Sequence, residues 1–317
     1  MKFASALLIL VALAAASMFF GVSDVTLASL SAGDGKTWLV LLDSRIPRTL
    51  ALIFAGAGMA VSGTIMQMLA QNRFVEPSTA GTVESAGLGI LLVMLFAPGL
   101  PVYARMLVAT FFAIAGTALF LAILRQIPLR SALMVPLVGI MLGGVISAVT
   151  TFLAYRFDLL QSMGAWTTGD FSAVLRGRYE LLWLSMGLTV AAYFAADRFT
   201  VMGMGEAFSS NLGINYRRVV MLGLVIVAMV TACVVVSVGM VPFVGLIVPN
   251  VVSMALGDRL RRSLPWVAML GAGLVLACDI IGRSVIAPFE IPVGTVLGAI
   301  GSAFFLYLVL RRNSRAA

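Results

Sequence analysis

The sequence predicts an all-α integral membrane protein with about ten transmembrane helices. Of its 317 residues, 61% are hydrophobic and 11% are charged, whereas soluble domains carry roughly 25% charged residues. Long apolar runs alternate with short charged connections along the whole chain, and each run approaches the length of about 20 residues that crosses a bilayer. No sizeable soluble domain fits between them, so we expect a single transmembrane domain over residues 1–317.

The apolar runs should be helices, because lipid offers no hydrogen-bond partners to an open backbone and the runs are too long and continuous for barrel strands. The predicted spans cover residues 4–22, 49–69, 80–97, 106–124, 132–154, 181–196, 219–240, 244–257, 266–282 and 293–310. We expect long outer connections at about 23–48 and 156–180, and a long inner connection at about 197–218.

The first apolar run admits two interpretations. It follows Met1-Lys2 and contains the small-residue stretch Ala14-Ala15-Ala16, as a cleavable signal peptide would. The run is long for a signal peptide, however, and further spans follow it. A retained first helix is therefore favoured.

The basic residues predict that both termini lie in the cytoplasm. With the amino terminus inside, thirteen of the 21 Lys and Arg residues fall on the cytoplasmic side. The other eight fall on the outer side: Lys36, Arg45, Arg48, Arg105, Arg156, Arg176, Arg178 and Arg283. The basic residues stand singly or in pairs at span ends, which argues against nucleic-acid binding despite the net charge of +8.

Several kinds of chemistry are excluded. The chain has no histidine, which removes Ser-His-Asp catalysis, HExxH zinc sites and the 2-His-1-carboxylate iron site. Its two cysteines lie inside apolar runs and form neither a disulfide framework nor a CxxC site. The string Gly33 to Thr37 resembles the end of a phosphate loop, but Leu30 stands where the first glycine is needed. We therefore expect no cofactor in this chain, and any ATP must be hydrolysed elsewhere.

Two carboxylates fall within predicted spans, Glu84 and Asp279. Intramembrane carboxylates often mark function, so a proton relay in a secondary transporter is one hypothesis. The alternative is structural, because Glu84 lies near a helix start, where the dipole favours an anion. Asp279 likewise has Arg283 four residues on, at ion-pair spacing.

Glycines recur inside the spans, including Gly56, Gly63 and Gly271. Small residues let membrane helices approach closely. Helix packing is the favoured interpretation, and a substrate path beside the same glycines is the alternative.

Seven segments, taken in order, resemble the FecCD family, the permeases of iron-siderophore, haem and cobalamin ABC importers. They are Arg45-Ile-Pro-Arg48, 56–63 with Met66-Gln67, 72–77, 205–213, 243–249, Asp279 with Arg283, and 290–294. The resemblance covers nearly the whole chain. It implies the type II importer architecture, with a second permease subunit that is identical or related, two cytoplasmic ATPases that bind ATP-Mg, and a periplasmic or lipoprotein binding protein.

The resemblance also assigns roles to residues. Glu206, Ala207, Leu212 and Gly213 would form the coupling element that contacts the ATPase, the alternative being an ordinary basic inner loop. Arg45, Arg48 and Arg283 would meet glutamates of the binding protein, a task that suits permanent, bidentate guanidinium groups. The alternative for these arginines is pairing within the subunit, for example with Asp43 or Asp279.

The chain departs from the family pattern at Asn72-Arg73-Phe74, where Asn-Pro is common, at Asn250, where histidine is usual, and at 301–305. The Asn-Arg-Phe-Val form resembles the branch that serves catecholate and related siderophores such as petrobactin, vibriobactin and anguibactin. The expected function is import of a ferric siderophore across a bacterial inner membrane. The rivals are a proton-coupled secondary transporter using Glu84 and Asp279, and a purely structural membrane protein.

Overall fold

The computed structural model describes residues 3–20, 35–126, 134–213 and 215–313. Within these ranges the regular structure is helical, and the β-type pairing that we observe there is an isolated bridge between Thr168 and Met240. The predicted all-α class is confirmed.

The helices, numbered along the chain, have the following bounds: α1 Phe3–Phe19, α2 Gly35–Val40, α3 Ile46–Leu69, α4 Thr82–Phe96, α5 Val102–Gln126, α6 Met134–Arg156, α7 Leu160–Thr167, α8 Leu181–Phe194, α9 Ala196–Met202, α10 Glu206–Asn211, α11 Tyr216–Val238, α12 Val244–Leu256, α13 Leu260–Val285 and α14 Val293–Asn313. A π-helical turn, Leu41–Arg45, joins α2 to α3, and a 3-10 turn, Pro77–Ala80, precedes α4.

Each of the ten predicted spans corresponds to a helix. Five helical stretches in the described part of the chain are long and apolar enough to cross a membrane, and they contain α3, α5, α6, α11 and α13. Five shorter apolar helices, α1, α4, α8, α12 and α14, supply the rest. Of these five, α14 has 21 residues, whereas α1, α4, α8 and α12 have 13 to 17 and are shorter than the roughly 20 residues that cross the hydrocarbon core.

The predicted outer connection at 23–48 is wrong over its second half. Residues 35–45 are helical, and with α3 they form one continuous helix, Gly35–Leu69. The charges of this segment favoured a loop, but Arg45 and Arg48 are buried and hydrogen-bonded, which removes the cost of carrying them on a helix. Residues 23–34 lie outside the described residues.

The other two long connections are also partly helical. The outer connection at 156–180 contains α7, and the inner connection at 197–218 contains α9 and α10. These helices are too short to be read from hydrophobic periodicity, which needs a window of 11 residues or more.

Helix α3 is the centre of the bundle. Nearly all of its residues from Pro47 to Gln67 are buried, and it packs against α8, α11, α12 and α13. A second apolar cluster lies around α4 and α5 and takes Ala232, Val235 and Val236 from α11. Helix α11 therefore joins the two halves of the core.

Two glycine contacts set the distance between α3 and its neighbours. A Cβ on Gly56 would lie 2.5 Å from the carbonyl oxygen of Gly271 in α13, and a Cβ on Gly63 would collide with the backbone of Gly245 in α12. The backbones touch without side chains between them, as small-residue packing in membranes requires. Helix packing is thus what these glycines do here.

Helix α4 begins inside the bundle rather than at its edge. The preceding turn packs against α12, where a Cβ on Gly245 would lie 2.9 Å from Cδ of Pro77. Gly81, with a positive φ of 72°, lies against Gly143 near the middle of α6. With 15 residues, α4 is about 22 Å long and shorter than the hydrocarbon core. It is a short helix whose start lies level with the middle of α6.

We predict that Gly56→Ala destabilises the protein, because the new methyl group would overlap a backbone carbonyl of α13 that cannot rotate away. Overpacking of this kind costs about 1–3 kcal/mol. Thermal unfolding of the purified protein in detergent should show the loss. The matched control is Gly187→Ala on α8, where no atom lies within 4 Å of the new methyl group; equal melting temperatures for the two variants would contradict the packing argument.

Candidate functional sites at the two ends of the bundle

An ion cluster lies at the outer end of α3 and α13. Asp279 is fully buried and accepts from Arg48 through Oδ1, at 3.1 Å from Nε and 2.7 Å from Nη2. Its Oδ2 accepts from Nη2 of Arg283 one turn later on α13. Arg48 also donates through Nη1 to Oε2 of Glu290 at 2.8 Å. Both oxygens of Asp279 are therefore occupied by guanidinium groups.

The same cluster fixes the end of α1. Arg283 donates to the carbonyl oxygens of Ser17 and Phe20 and to Oγ of Ser17, and Arg45 donates to the Phe20 carbonyl at 2.7 Å. These carbonyls close helix α1, where the backbone lacks partners of its own. Three arginines and two carboxylates thus join α1, α3, α13 and the segment before α14, with an excess of one positive charge.

The three arginines that the sequence assigned to docking are buried in the single chain. Arg48 makes ion pairs within the subunit, as the alternative interpretation has it, and Arg283 pairs with Asp279. Docking on a binding protein stays a prediction for this group. Nothing in the local sequence indicated that Arg48 pairs with Asp279, because the two residues are 231 positions apart.

At the inner end, α9 and α10 form a compact element. Gly205, with φ of 105°, separates the two helices, and Gly213, with φ of 73°, follows α10. The hydroxyl of Ser209 donates to the carbonyls of Val201 at 3.1 Å and Gly205 at 2.8 Å, which ties α10 back to α9. The two helices should therefore move together.

This inner element exposes apolar side chains. Met204 is 62% exposed, Phe208 46% and Leu212 58%. The backbone of Glu206 and Ala207 is helical, while their side chains lie outside the described residues. Exposed apolar residues on a firmly held turn are typical of a surface that another protein covers.

The inner element is attached to the start of α13. Asp197 of α9 pairs with Arg261, and Oγ1 of Thr200 accepts from the backbone N–H of Leu260 at 3.3 Å. A cavity of about 550 Å³ lies beside it, between α3, α9, α12 and α13, with Gln67, Arg73 and Asp258 in its wall.

Two of the departures from the family pattern are in contact with each other, and Asn72 and Arg73 line this cavity. Nδ2 of Asn250 donates to the carbonyl oxygen of Arg73 at 2.9 Å, and Oδ1 of Asn72 accepts from the backbone N–H of Phe74 at 2.9 Å. Arg73 pairs through its side chain with Asp258. The unusual residues at 73 and 250 therefore form one contact, which sequence reasoning treated as two separate changes.

The two intramembrane carboxylates are not neighbours. Asp279 lies in the outer ion cluster, whereas Glu84 lies against Gly143 of α6. The structure does not bring them together as a relay between α4 and α13.

The sequence model of the FecCD transport family matches residues 4–311. The chain belongs to this family. It is 47% identical over 319 residues to the petrobactin import system permease protein YclN of Bacillus subtilis (strain 168), with 100% of both chains covered. It is 43% identical over 299 residues to the ferric-anguibactin transport system permease protein FatD of Vibrio anguillarum (strain ATCC 68554 / 775), covering 94% of this chain and 95% of that one.

A solved metal-chelate type ABC transporter in an inward-facing conformation has the same fold. The TM-score is 0.84 at 26% identity, covering 97% of this chain and 98% of the other. Members of the FecCD family are permease subunits of ABC transporters and are not themselves enzymes. The chain is accordingly a multi-pass membrane protein that works with ATPase and substrate-binding partners, and the comparisons give no support to a proton-coupled secondary transporter.

We predict that Arg48→Ala destabilises the purified permease by about 3–5 kcal/mol, because it leaves Oδ1 of the fully buried Asp279 without its partner and removes the ion pair of the partly exposed Glu290. The matched control is Arg73→Ala, since Arg73 pairs with Asp258 where both side chains are more than half exposed. Removing that pair should cost less than about 1 kcal/mol.

Thermal unfolding in detergent, without any partner protein, measures both variants. If Arg48 served only to dock a binding protein, its loss would leave the melting temperature of the isolated permease unchanged, and the structural role would be refuted.

Proposed function

We propose that this chain is the permease subunit of an ABC importer that carries a ferric siderophore across a bacterial inner membrane into the cytoplasm. Its relatives of 43–47% identity are named for import of petrobactin and ferric anguibactin. The cargo stays chelated during transport, so the permease needs no iron ligands of its own.

The observation that carries the proposal is the inner element α9–α10. It combines a helical turn at Glu206 to Asn211, exposed apolar residues on both sides of it and contacts with the start of α13. A groove on a separate ATPase can bind this surface and transmit the movement of the ATPase to it. The chain has no complete phosphate loop among its residues, which assigns ATP-Mg to that partner.

The proposed assembly contains two permease subunits, identical or related, two ATPase subunits and one periplasmic or lipoprotein binding protein. ATP binding and hydrolysis would rock the two permease subunits between outward and inward access. In this assembly Glu206, Ala207, Leu212 and Gly213 contact the ATPase.

The outer ion cluster is the proposed docking region for the binding protein. Its excess positive charge favours an acidic surface, because complementary charge speeds and orients association. The resemblance assigns this contact to Arg45, Arg48 and Arg283, and Arg48 and Arg283 also hold Asp279.

We predict that Glu206→Arg abolishes ATP-dependent uptake of radioiron-labelled siderophore by proteoliposomes that contain both permeases, the ATPase and the binding protein. Reversing a charge at the coupling surface should prevent the ATPase from seating, and the ATPase should no longer co-purify with the permease. The matched control is Glu180→Arg, the same change on the predicted outer connection, which should retain the ATPase.

Uptake that needs no ATPase and follows a pH gradient would refute the importer. Retention of the ATPase by Glu206→Arg with normal uptake would refute the coupling assignment alone.

We predict that Arg45→Gln weakens binding of the permease to its binding protein by about tenfold, the effect of losing one charge-assisted contact worth roughly 1.4 kcal/mol. The affinity can be measured by surface plasmon resonance with the permease in nanodiscs. Arg176→Gln is the control, because Arg176 is an exposed outer arginine whose nearest carboxylate, on Asp43, is 3.9 Å away. Equal affinities for the two variants would count against docking through Arg45.

A further inference from the structure

Glu84 lies beside the middle of α6. It is the third residue of the short helix α4, and its carboxyl group rests on the backbone of α6, where a Cβ on Gly143 would lie 3.1 Å from Cδ of Glu84. Gly143 stands near the middle of the 23-residue helix Met134–Arg156. A residue that the sequence placed near the end of a span therefore lies level with the middle of a neighbouring span.

One oxygen of the Glu84 carboxylate, the buried Oε2, has no hydrogen-bond partner among the residues that the structure describes. None of the ion pairs seen there involves Glu84. Asp279, the other intramembrane acid, is held by two arginines. Unpaired charge inside a membrane is costly and is kept where it binds something.

A cavity of about 350 Å³ adjoins the carboxylate, between α4, α6 and α7. Three hydroxyl side chains of α6, Ser147, Thr150 and Thr151, share its wall with Glu84. The hydroxyl of Thr150 donates to the carbonyl oxygen of Ile146 at 2.8 Å, which leaves the lone pairs of Oγ1 of Thr150 able to accept. Carboxylate and hydroxyl oxygens together form an acceptor-rich site, which suits a cation.

The cavity opens on an exposed stripe of α6. Gly144, Ser147, Ala148 and Thr151 recur at helical spacing and are exposed in the single chain. Lipid would leave these hydroxyls beside hydrocarbon, whereas small and polar residues suit a water-filled path. Resting on the proposed function, this stripe is part of the wall along which the cargo passes.

We propose that Glu84 and the hydroxyls of Ser147, Thr150 and Thr151 form a cation-binding site on this wall. The occupant is either a protonated amine of the cargo or an alkali metal ion, since both take oxygen ligands. The start of α4 helps to keep the site charged, because a helix amino terminus favours an anion nearby. The dipole lowers the cost of the carboxylate without neutralising it, so a cation still gains the full pairing.

The test measures thermal unfolding of the full-length permease in lipid nanodiscs, at constant ionic strength, by tryptophan fluorescence. Choline chloride is the reference salt, because its quaternary nitrogen has no N–H to donate. It is replaced by sodium chloride, potassium chloride or ethylammonium chloride. No transport is needed, so the result is independent of whether the importer function holds.

We expect at least one of the three salts to raise the melting temperature of the wild type by about 2 °C or more over choline, as a ligand bound by the native state does. Glu84→Gln should lose that shift, and Thr151→Val, an exposed substitution on α6, should reduce it. Glu180→Gln on the outer connection is the control and should keep it. A response to ethylammonium alone assigns the site to an amine, and a response to sodium or potassium assigns it to a free metal ion.

Equal melting temperatures of the wild type in all four salts would overturn the site, as would an undiminished shift in Glu84→Gln. Should Glu84→Gln fail to fold, the decision falls to Thr151→Val, and an unchanged shift in that variant would reject the proposal.

Discussion

The close approach of α3 to its neighbours is the constraint on which the rest of the structure depends. Lipid tails are as apolar as leucine, so membrane helices associate through tight packing rather than through exclusion of water. The contacts of Gly56 with Gly271 and of Gly63 with Gly245 bring α13 and α12 against α3 with no side chain between the backbones. That arrangement places Arg48 of α3 within reach of Asp279 of α13, and it seats the turn before α4 deep in the bundle.

The two intramembrane carboxylates show how position decides the role of a charge. Asp279 is enclosed by Arg48 and Arg283, which makes it a structural anchor whose loss would leave buried arginines unpaired. Glu84 has hydroxyl neighbours and an adjoining cavity instead of arginines. Asp279 stabilises the fold at its outer end, whereas Glu84 is the proposed ligand of a cation.

Much of the fold could be predicted from the sequence, because hydrophobic length and the need to pair backbone groups determine spans almost locally. The ten spans and the close glycine packing follow from that. The helix that begins at Gly35 was not predicted. The charged residues of this segment suggested a loop, because the partners that bury them are distant in the sequence. Short helices such as α7, α9 and α10 carry too little periodicity to be recognised.

The sites were less accessible to sequence reasoning, because they depend on contacts between distant residues. The spacing of Asp279 and Arg283 indicates an ion pair, but nothing local connects Arg48 with Asp279 across 231 residues. The sequence also did not reveal that Glu84 lies beside the middle of α6. This position depends on how far the turn Pro77–Ala80 enters the bundle, and that is set by its packing on Gly245.

Helix α13 gives the protein a mechanical connection between its two faces. It is 26 residues and about 39 Å long, and it contains no proline beyond Pro265. Its first turn is fastened to the inner element through Asp197 and Thr200, and its last turns carry Asp279 and Arg283. A helix attached at both ends can transmit a displacement from one end to the other. In the proposed importer, a displacement of the inner element would reach Asp279 and Arg283 through α13.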